Sequence, residues 1–119
     1  MKHAILIYEN ETDFRSRTDA NHESYWAGWN AYMKALNEAG VLTGGQPLHG
    51  GDKGTTVKVR NGSRQVHDGP YSDTKEQLGG FLILEVPSID EALQWAERCP
   101  AAVSGAVEVR PVLDMSSGG

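Results

Sequence analysis

Asp68, Tyr71, Ser72, Asp73 and Lys75 gather carboxylate, phenol, hydroxyl and ammonium groups into one short segment, Asp68-Gly69-Pro70-Tyr71-Ser72-Asp73-Thr74-Lys75-Glu76. Gly69 and Pro70 fix the turn inside it at low entropic cost. Proline presets its φ, and glycine accepts dihedrals closed to other residues. A rigid turn beside a run of strand-type hydrophobes can hold a carboxylate still, and a still carboxylate can orient a base or stabilise a cation. Asp68 also has a purely local role open to it, bonding the backbone N–H groups that follow it. Lys75 and Glu76 would ordinarily form a solvated pair worth little.

His22 is the other candidate. It falls at the start of the best helical segment, one turn before Tyr25 and Trp26. The positive end of a helix dipole disfavours an imidazolium there, so a neutral general base fits the position, as does an inert first-turn residue. His3, His22, His49 and His67 show no metal-ligand spacing among themselves or with Cys99, and a metal site is not expected. No nucleophile elbow is present, and Gly44-Gly45 and Gly50-Gly51 lack the helix start and Lys-Ser/Thr of a phosphate loop. No cofactor is expected. Trp26 and Trp29 read first as core or interface aromatics.

A chain of 119 residues holds one core and buries roughly two thirds of its unfolded surface. Hydrophobic residues at 39% and charged residues at 23% fit an ordinary globular domain. A net charge of -5 without a basic cluster argues against nucleic acid and anionic membranes. With Cys99 alone no intrachain disulfide forms, and the residue reads as a small hydrophobe. No signal pattern or membrane-length apolar run is seen, so the expected location is the cytoplasm.

The elements that must position these groups follow from periodicity. Lys2 to Glu9 is a strand with Ile5 and Ile7 on one face and Ala4, Leu6 and Tyr8 on the other. Glu11 to Ala20 reads as a polar loop. Tyr25, Trp26, Trp29, Tyr32, Met33 and Leu36 recur at helical spacing from about Asn21 to Ala39, and Gly40 supplies the stop. Val41 to Leu48 contains a short strand. Asn61-Gly62 between Thr55–Arg60 and Ser63–His67 marks a half-exposed hairpin with Val57 and Val59 on one side. Phe81 to Val86 is a strand, apolar on both faces. Ser88-Ile89-Asp90-Glu91 is a capping box opening a helix that packs through Ile89, Ala92, Leu93 and Ala96, with Trp95 off the stripe and Pro100 as the end. Gly105 to Val112 is a last strand, on which Glu108 and Arg110 would pair with cross-strand neighbours.

Residues 1–113 are thus one domain and 114–119 a flexible tail. Without the hairpin the order is βαββαβ, an α+β ferredoxin-like unit with both helices on one face of an antiparallel sheet. Strands greasy on both faces leave a patch that soluble monomers rarely expose. A homodimer with its two sheets face to face is the expected solution.

Three motifs together resemble the DGPF domain family within the YCII-related proteins: Asp68 through Phe81, Ser88-Ile89-Asp90-Glu91-Ala92, and Val107-Glu108-Val109-Arg110-Pro111-Val112. Tyr71 stands where that motif has Phe, and Asp73 where the family usually has Glu. The resemblance implies a dimeric α+β barrel. It also implies an acid/base pair at the positions of His22 and Asp68, facing a cleft. Activities known in and around the family are dehydrochlorination in aromatic degradation and cofactor-free lactone isomerisation or oxygenation. Genes of the family often neighbour extracytoplasmic-function sigma factors.

Two functions follow as expectations. One is a cofactor-free isomerase- or lyase-like enzyme on a small cyclic or aromatic acid. His22 and Asp68 would be catalytic, and Tyr71, Ser72, Lys75 and Trp26 would contact substrate, the first three able to bind an oxyanion. The other is a non-catalytic ligand sensor or partner-binding module working with a sigma factor.

Overall fold

In β1 (Lys2–Glu9) His3, Ile5, Ile7 and Glu9 are buried, while Ala4, Leu6 and Tyr8 between them are half-buried. That alternation is the pleat of one strand placed against a core. The computed structural model describes residues 1–115; most of the expected tail lies outside the described residues. β1 is central in a four-stranded antiparallel sheet of order β2-β5-β1-β6, with β2 Leu42–Pro47, β5 Gln77–Glu85 and β6 Ala106–Pro111. This is the strand order of a ferredoxin-like α+β fold, as the element order requires.

Two helices cover one face. From α2 (His22–Glu38) Tyr32 and Leu36 enter the core, and from α3 (Ile89–Arg98) Ala92 and Ala96. They meet Ile5, Ile7, Leu82, Leu84, Val86 and Cys99 in one cluster. Tyr32 ties the helices together, its hydroxyl donating to the Trp95 carbonyl at 2.8 Å. The sequence places Ile89 and Leu93 in this core; they are 43% and 50% exposed. Helix α3 instead presents its small residues to the sheet, which lets it approach closely. Trp95 fills the flank and carries the Arg98 guanidinium 4.4 Å from its ring centroid. Ser88 accepts from the Glu91 N–H, the first half of the expected capping box.

Glu11–Ser16, expected as loop, is a short helix, α1. Asn10 caps it by accepting from the Asp13 N–H at 2.8 Å, and Glu11 and Asp13 place negative charge in its first turn. Ser104, at the end of α4 (Ala101–Ser104), donates to Asp13 at 2.7 Å and holds α1 against the body. The hairpin β3 (Thr55–Arg60) and β4 (Ser63–Asp68) forms a separate two-stranded sheet. Its turn has Asn61 and Gly62 at φ 53° and 75°, the primed geometry that matches strand twist. Val57, Val59 and Val66 are exposed, so the valine side of the hairpin is its open side.

The slab measures 49 × 47 × 18 Å, a thickness of one sheet and one helix layer. Ala4, Leu6, Tyr8, Phe81 and Ile83 therefore lie on a sheet face that no described element covers. Glu108 and Arg110 share that face and pair with each other at 2.6 Å, and Glu108 also accepts across the strands from the Tyr8 hydroxyl at 3.4 Å. The Arg110 hydrogen bond holds the Glu108 carboxyl below the usual carboxylate range.

Cys99 is fully buried, and burial pushes its thiol up to about 11. A thiol in that state is a poor nucleophile at neutral pH. Alkylating reagent should leave Cys99 unmodified in native protein and label it only in denaturant; rapid native labelling would contradict this core.

Candidate functional site

Glu9 continues the core phase of β1, so its carboxylate is carried inward at 2% exposure. A buried carboxylate must find charge and hydrogen bonds. Arg17, just beyond α1, supplies Nη2 to Oε1 at 2.6 Å. Tyr25, in the first turn of α2, donates its hydroxyl to Oε2 at 2.6 Å. Arg17 Nε closes the triangle on Tyr25 Oη at 3.2 Å.

Arg17 also donates to the carbonyls of Gly79, at 2.9 Å, and Leu48, and its guanidinium lies 4.8 Å from the centroid of the Phe14 ring. Trp26 Nε1 donates to the Arg17 carbonyl at 2.9 Å. The close approach depends on Gly79, where a Cβ would lie 2.7 Å from Glu9 Oε1 and 3.0 Å from Arg17 Nη2. Burial acts to lower the Arg17 pKa, but its bonds to Glu9 and Tyr25 outweigh that and raise it. Burial and the hydrogen bond to Glu9 push the Tyr25 phenol far up, against the opposing bond from Arg17. Arg17 is a permanent cation and Tyr25 a permanent phenol at neutral pH.

Two depressions meet at this cluster. One is an apolar cleft of about 140 Å³ between α2 and the β2–β5 edge, walled by Trp26, Trp29, Met33, Pro47 and Leu82, with Tyr25, Glu9 and Arg17 at its polar end. The other is a wide polar groove between α1 and the base of the hairpin, bordered by His49, His67, Asp68, Asp73, Lys75 and Gln77; Glu9 and Arg17 line it too. The upper part of the α2 aromatic stripe thus lines a cleft, while Tyr32 and Leu36 fill the core.

The sequence candidates separate. Trp26 lines the cleft, and Asp68 and Lys75 line the groove. His22 lines neither: it is exposed, with Nδ1 2.8 Å from the Asp19 carbonyl. A carbonyl only accepts, so Nδ1 carries the proton and Nε2 is the free basic atom. The orienting partner expected in Asp68 is therefore a backbone group. Asp68 is exposed at the end of β4 opposite Thr55. The Gly69 N–H bonds Gly54 O at 2.7 Å rather than the Asp68 carboxylate. Tyr71 is 72% exposed, with the Lys58 ammonium 5.6 Å from its ring centroid. Ser72 is exposed and borders neither cavity. Among the described residues no cluster of His, Cys, Asp or Glu could hold a metal ion.

Sequence reasoning missed Glu9 and Arg17. The signal for Glu9 was available, because it falls in phase with Ile5 and Ile7 on a core-facing strand. Nothing local distinguished Arg17 from Arg15, which instead pairs with Glu11 at 3.8 Å on the surface.

This ferredoxin-like chain with its half-open sheet belongs to the YCII-related family: the YCII-related domain matches residues 1–116. An uncharacterised protein of Rhizobium meliloti (strain 1021) is 32% identical over 114 residues, covering 94% of this chain and 92% of the relative. Among solved structures, 5-chloro-2-hydroxyhydroquinone dehydrochlorinase from Burkholderia phenoliruptrix AC1100, in complex with 2,5-dihydroxybenzoquinone, superposes with a TM-score of 0.56. At 22% identity and 98% coverage of both chains, that likeness establishes the fold. No described helix is long and apolar enough to cross a membrane.

Removing Arg17 would strand a buried carboxylate. Arg17→Ala should destabilise the fold by about 3–5 kcal/mol in urea denaturation, with less loss in Glu9→Gln/Arg17→Leu than in the single variant. The raised Tyr25 pKa contributes stability in full below the ordinary tyrosine value of about 10 and loses it as pH rises through the raised one. Alkaline unfolding should accordingly be shallower in Tyr25→Phe.

Proposed function

We propose that this protein is a cofactor-free acid/base enzyme, isomerase- or lyase-like, acting on a small aromatic or cyclic acid or phenol. The observation that carries the reading is the cleft beside α2. Its volume of about 140 Å³ is close to the roughly 150 Å³ of a cavity that takes up a benzene ring. Its walls are aromatic and aliphatic, and one end holds a fixed cation and a fixed phenol. The 2,5-dihydroxybenzoquinone held by the fold neighbour is likewise a single oxygenated ring.

Trp26 and Trp29 would flank the ring, and Arg17 would attract a developing oxyanion. Lys75 and Asp68 in the adjoining groove would meet substituents that extend beyond the cleft. The family-derived assignment, His22 as base oriented by Asp68, needs the two side chains to meet, and in the single chain each is turned to solvent. If the dyad operates, His22→Ala and Asp68→Asn each lower turnover by roughly a hundred- to ten-thousandfold. If the work lies at the Glu9–Arg17–Tyr25 end of the cleft, those variants keep near-normal rates.

A thermal-shift screen of phenols, cyclic acids and lactones tests the reading. A true ligand at a hundredfold excess over its Kd stabilises the fold by about 2.7 kcal/mol, and Trp26→Ala should abolish the shift. A complete absence of hits across these classes would sink the ring-binding reading.

A second copy over the open sheet face belongs to the same proposal. Leu6, Phe81 and Ile83 would pack against their counterparts, as the two-faced strands require. Sedimentation should give a dimer at micromolar concentration, and Leu6→Asp a soluble monomer; a compact wild-type monomer would exclude the barrel. The exposed Val57, Val59 and Val66 face favours one further reading, a docking surface for a protein partner such as a sigma factor. In that case hairpin variants, and not cleft variants, would abolish the function.

A further inference from the structure

Charge at the cleft is matched one for one. Among the described residues, Glu9 and Arg17 are the only Asp, Glu, Lys or Arg that line it, and they bond each other at 2.6 Å. Both carboxylate oxygens of Glu9 are engaged, one by Arg17 and one by the Tyr25 hydroxyl. Arg17 directs its other bonded N–H groups to Tyr25 and to the Leu48 and Gly79 carbonyls. With Tyr25 held as the phenol, the polar end is closed on itself and carries no net charge. The adjoining groove adds no surplus cation, since its Lys and Arg residues number four against five Asp and Glu.

Asn30 marks the mouth of the cleft. It lies one turn after Trp26 and one turn before Met33 on α2, so helical spacing sets the three along one flank. All three line the cleft. Asn30 is exposed, and its side-chain amide has no hydrogen-bond partner among the described residues. An amide both donates and accepts, and it brings no charge.

We infer, on the ring-binding reading above, that the cleft admits uncharged oxygenated rings and turns away carboxylates, with Asn30 as the specificity-determining residue at its mouth. Of the acid and phenol classes in that reading, the phenol side is retained, together with enols and lactones. A carboxylate entering an apolar cleft gives up its hydration and must gain a cation in return. Here the one cation is already neutralised, and Glu9 repels a second anion. The net charge of -5 on the whole chain adds to that repulsion. A phenol or lactone loses far less hydration against Trp26 and Trp29, and its oxygen can exchange a hydrogen bond with the Asn30 amide. A ring oxygen that acquires charge only during reaction does not bear the entry cost.

Benzamide and benzoate have nearly the same shape and differ by one charge, so calorimetric titration of the whole protein with each is the test. At pH 7 the wild type should bind benzamide tighter by about tenfold or more, the scale of one unmatched charge. Between pH 7 and about 5, benzoate should gain roughly tenfold in affinity per unit of pH lost, following its uncharged fraction above a carboxyl pKa of about 4. Benzamide affinity should stay constant over the same range. Asn30→Lys places a cation at an exposed helix position and leaves the core untouched. It should strengthen benzoate binding at pH 7 by about tenfold, and Asn30→Gln should keep the wild-type preference. Benzoate bound by the wild type as tightly as benzamide overturns the selection and leaves the ring site intact. Unchanged benzoate affinity in Asn30→Lys overturns the role of Asn30. Binding of neither probe removes the ring site and the preference together.

Discussion

A carboxylate in phase with a hydrophobic core is the constraint from which the functional end of this molecule is built. Glu9 occupies the position on β1 that would otherwise hold another aliphatic side chain. Left alone there it would cost several kcal/mol. Its two partners come from segments with no regular reason to be near one another. Arg17 follows the short helix α1, and Tyr25 opens α2. Satisfying one charge therefore docks α1, orients the entry to α2 and pins the Leu48 and Gly79 carbonyls at the sheet edge. The cleft exists because those elements are held apart by this polar cluster rather than closed by a side-chain core.

The same geometry accounts for the division of labour along α2. Its lower residues, Tyr32 and Leu36, complete the core, and Tyr32 reaches across to α3. Its upper aromatic residues flank a void. One amphipathic stripe thus serves packing at one end and ligand access at the other, and the changeover occurs where the sheet edge carries Gly45, Gln46 and Pro47 instead of bulky apolar residues.

Two surfaces of the chain are unfinished in the same sense. The outer sheet face and the valine side of the hairpin are apolar and uncovered by any described element, whereas the helix-covered face is filled except at the cleft. The apolar patterning of β1 and β5 on both faces is the sequence counterpart of this asymmetry. The Glu108–Arg110 pair and its neighbour Tyr8, whose hydroxyl lies 3.4 Å from Glu108, form a polar strip on that open face.

Periodicity and turn chemistry by themselves determined the βαββαβ order, the hairpin at Asn61-Gly62 and the cap at Ser88, because each depends on neighbours in sequence. They also marked strands that are apolar on both sides. Of the α3 stripe expected in the core, Ala92 and Ala96 are buried, whereas Ile89 and Leu93 stay half exposed because the sheet admits the smaller pair. Only the tertiary structure decided that Glu9 meets Arg17 and Tyr25, that His22 is steadied by the Asp19 carbonyl, and that Asp68 borders a groove apart from it. Glu9, Arg17 and Tyr25 come from three separate elements whose relative placement no local pattern fixes, and a carboxylate carries no local mark of which cation will neutralise it.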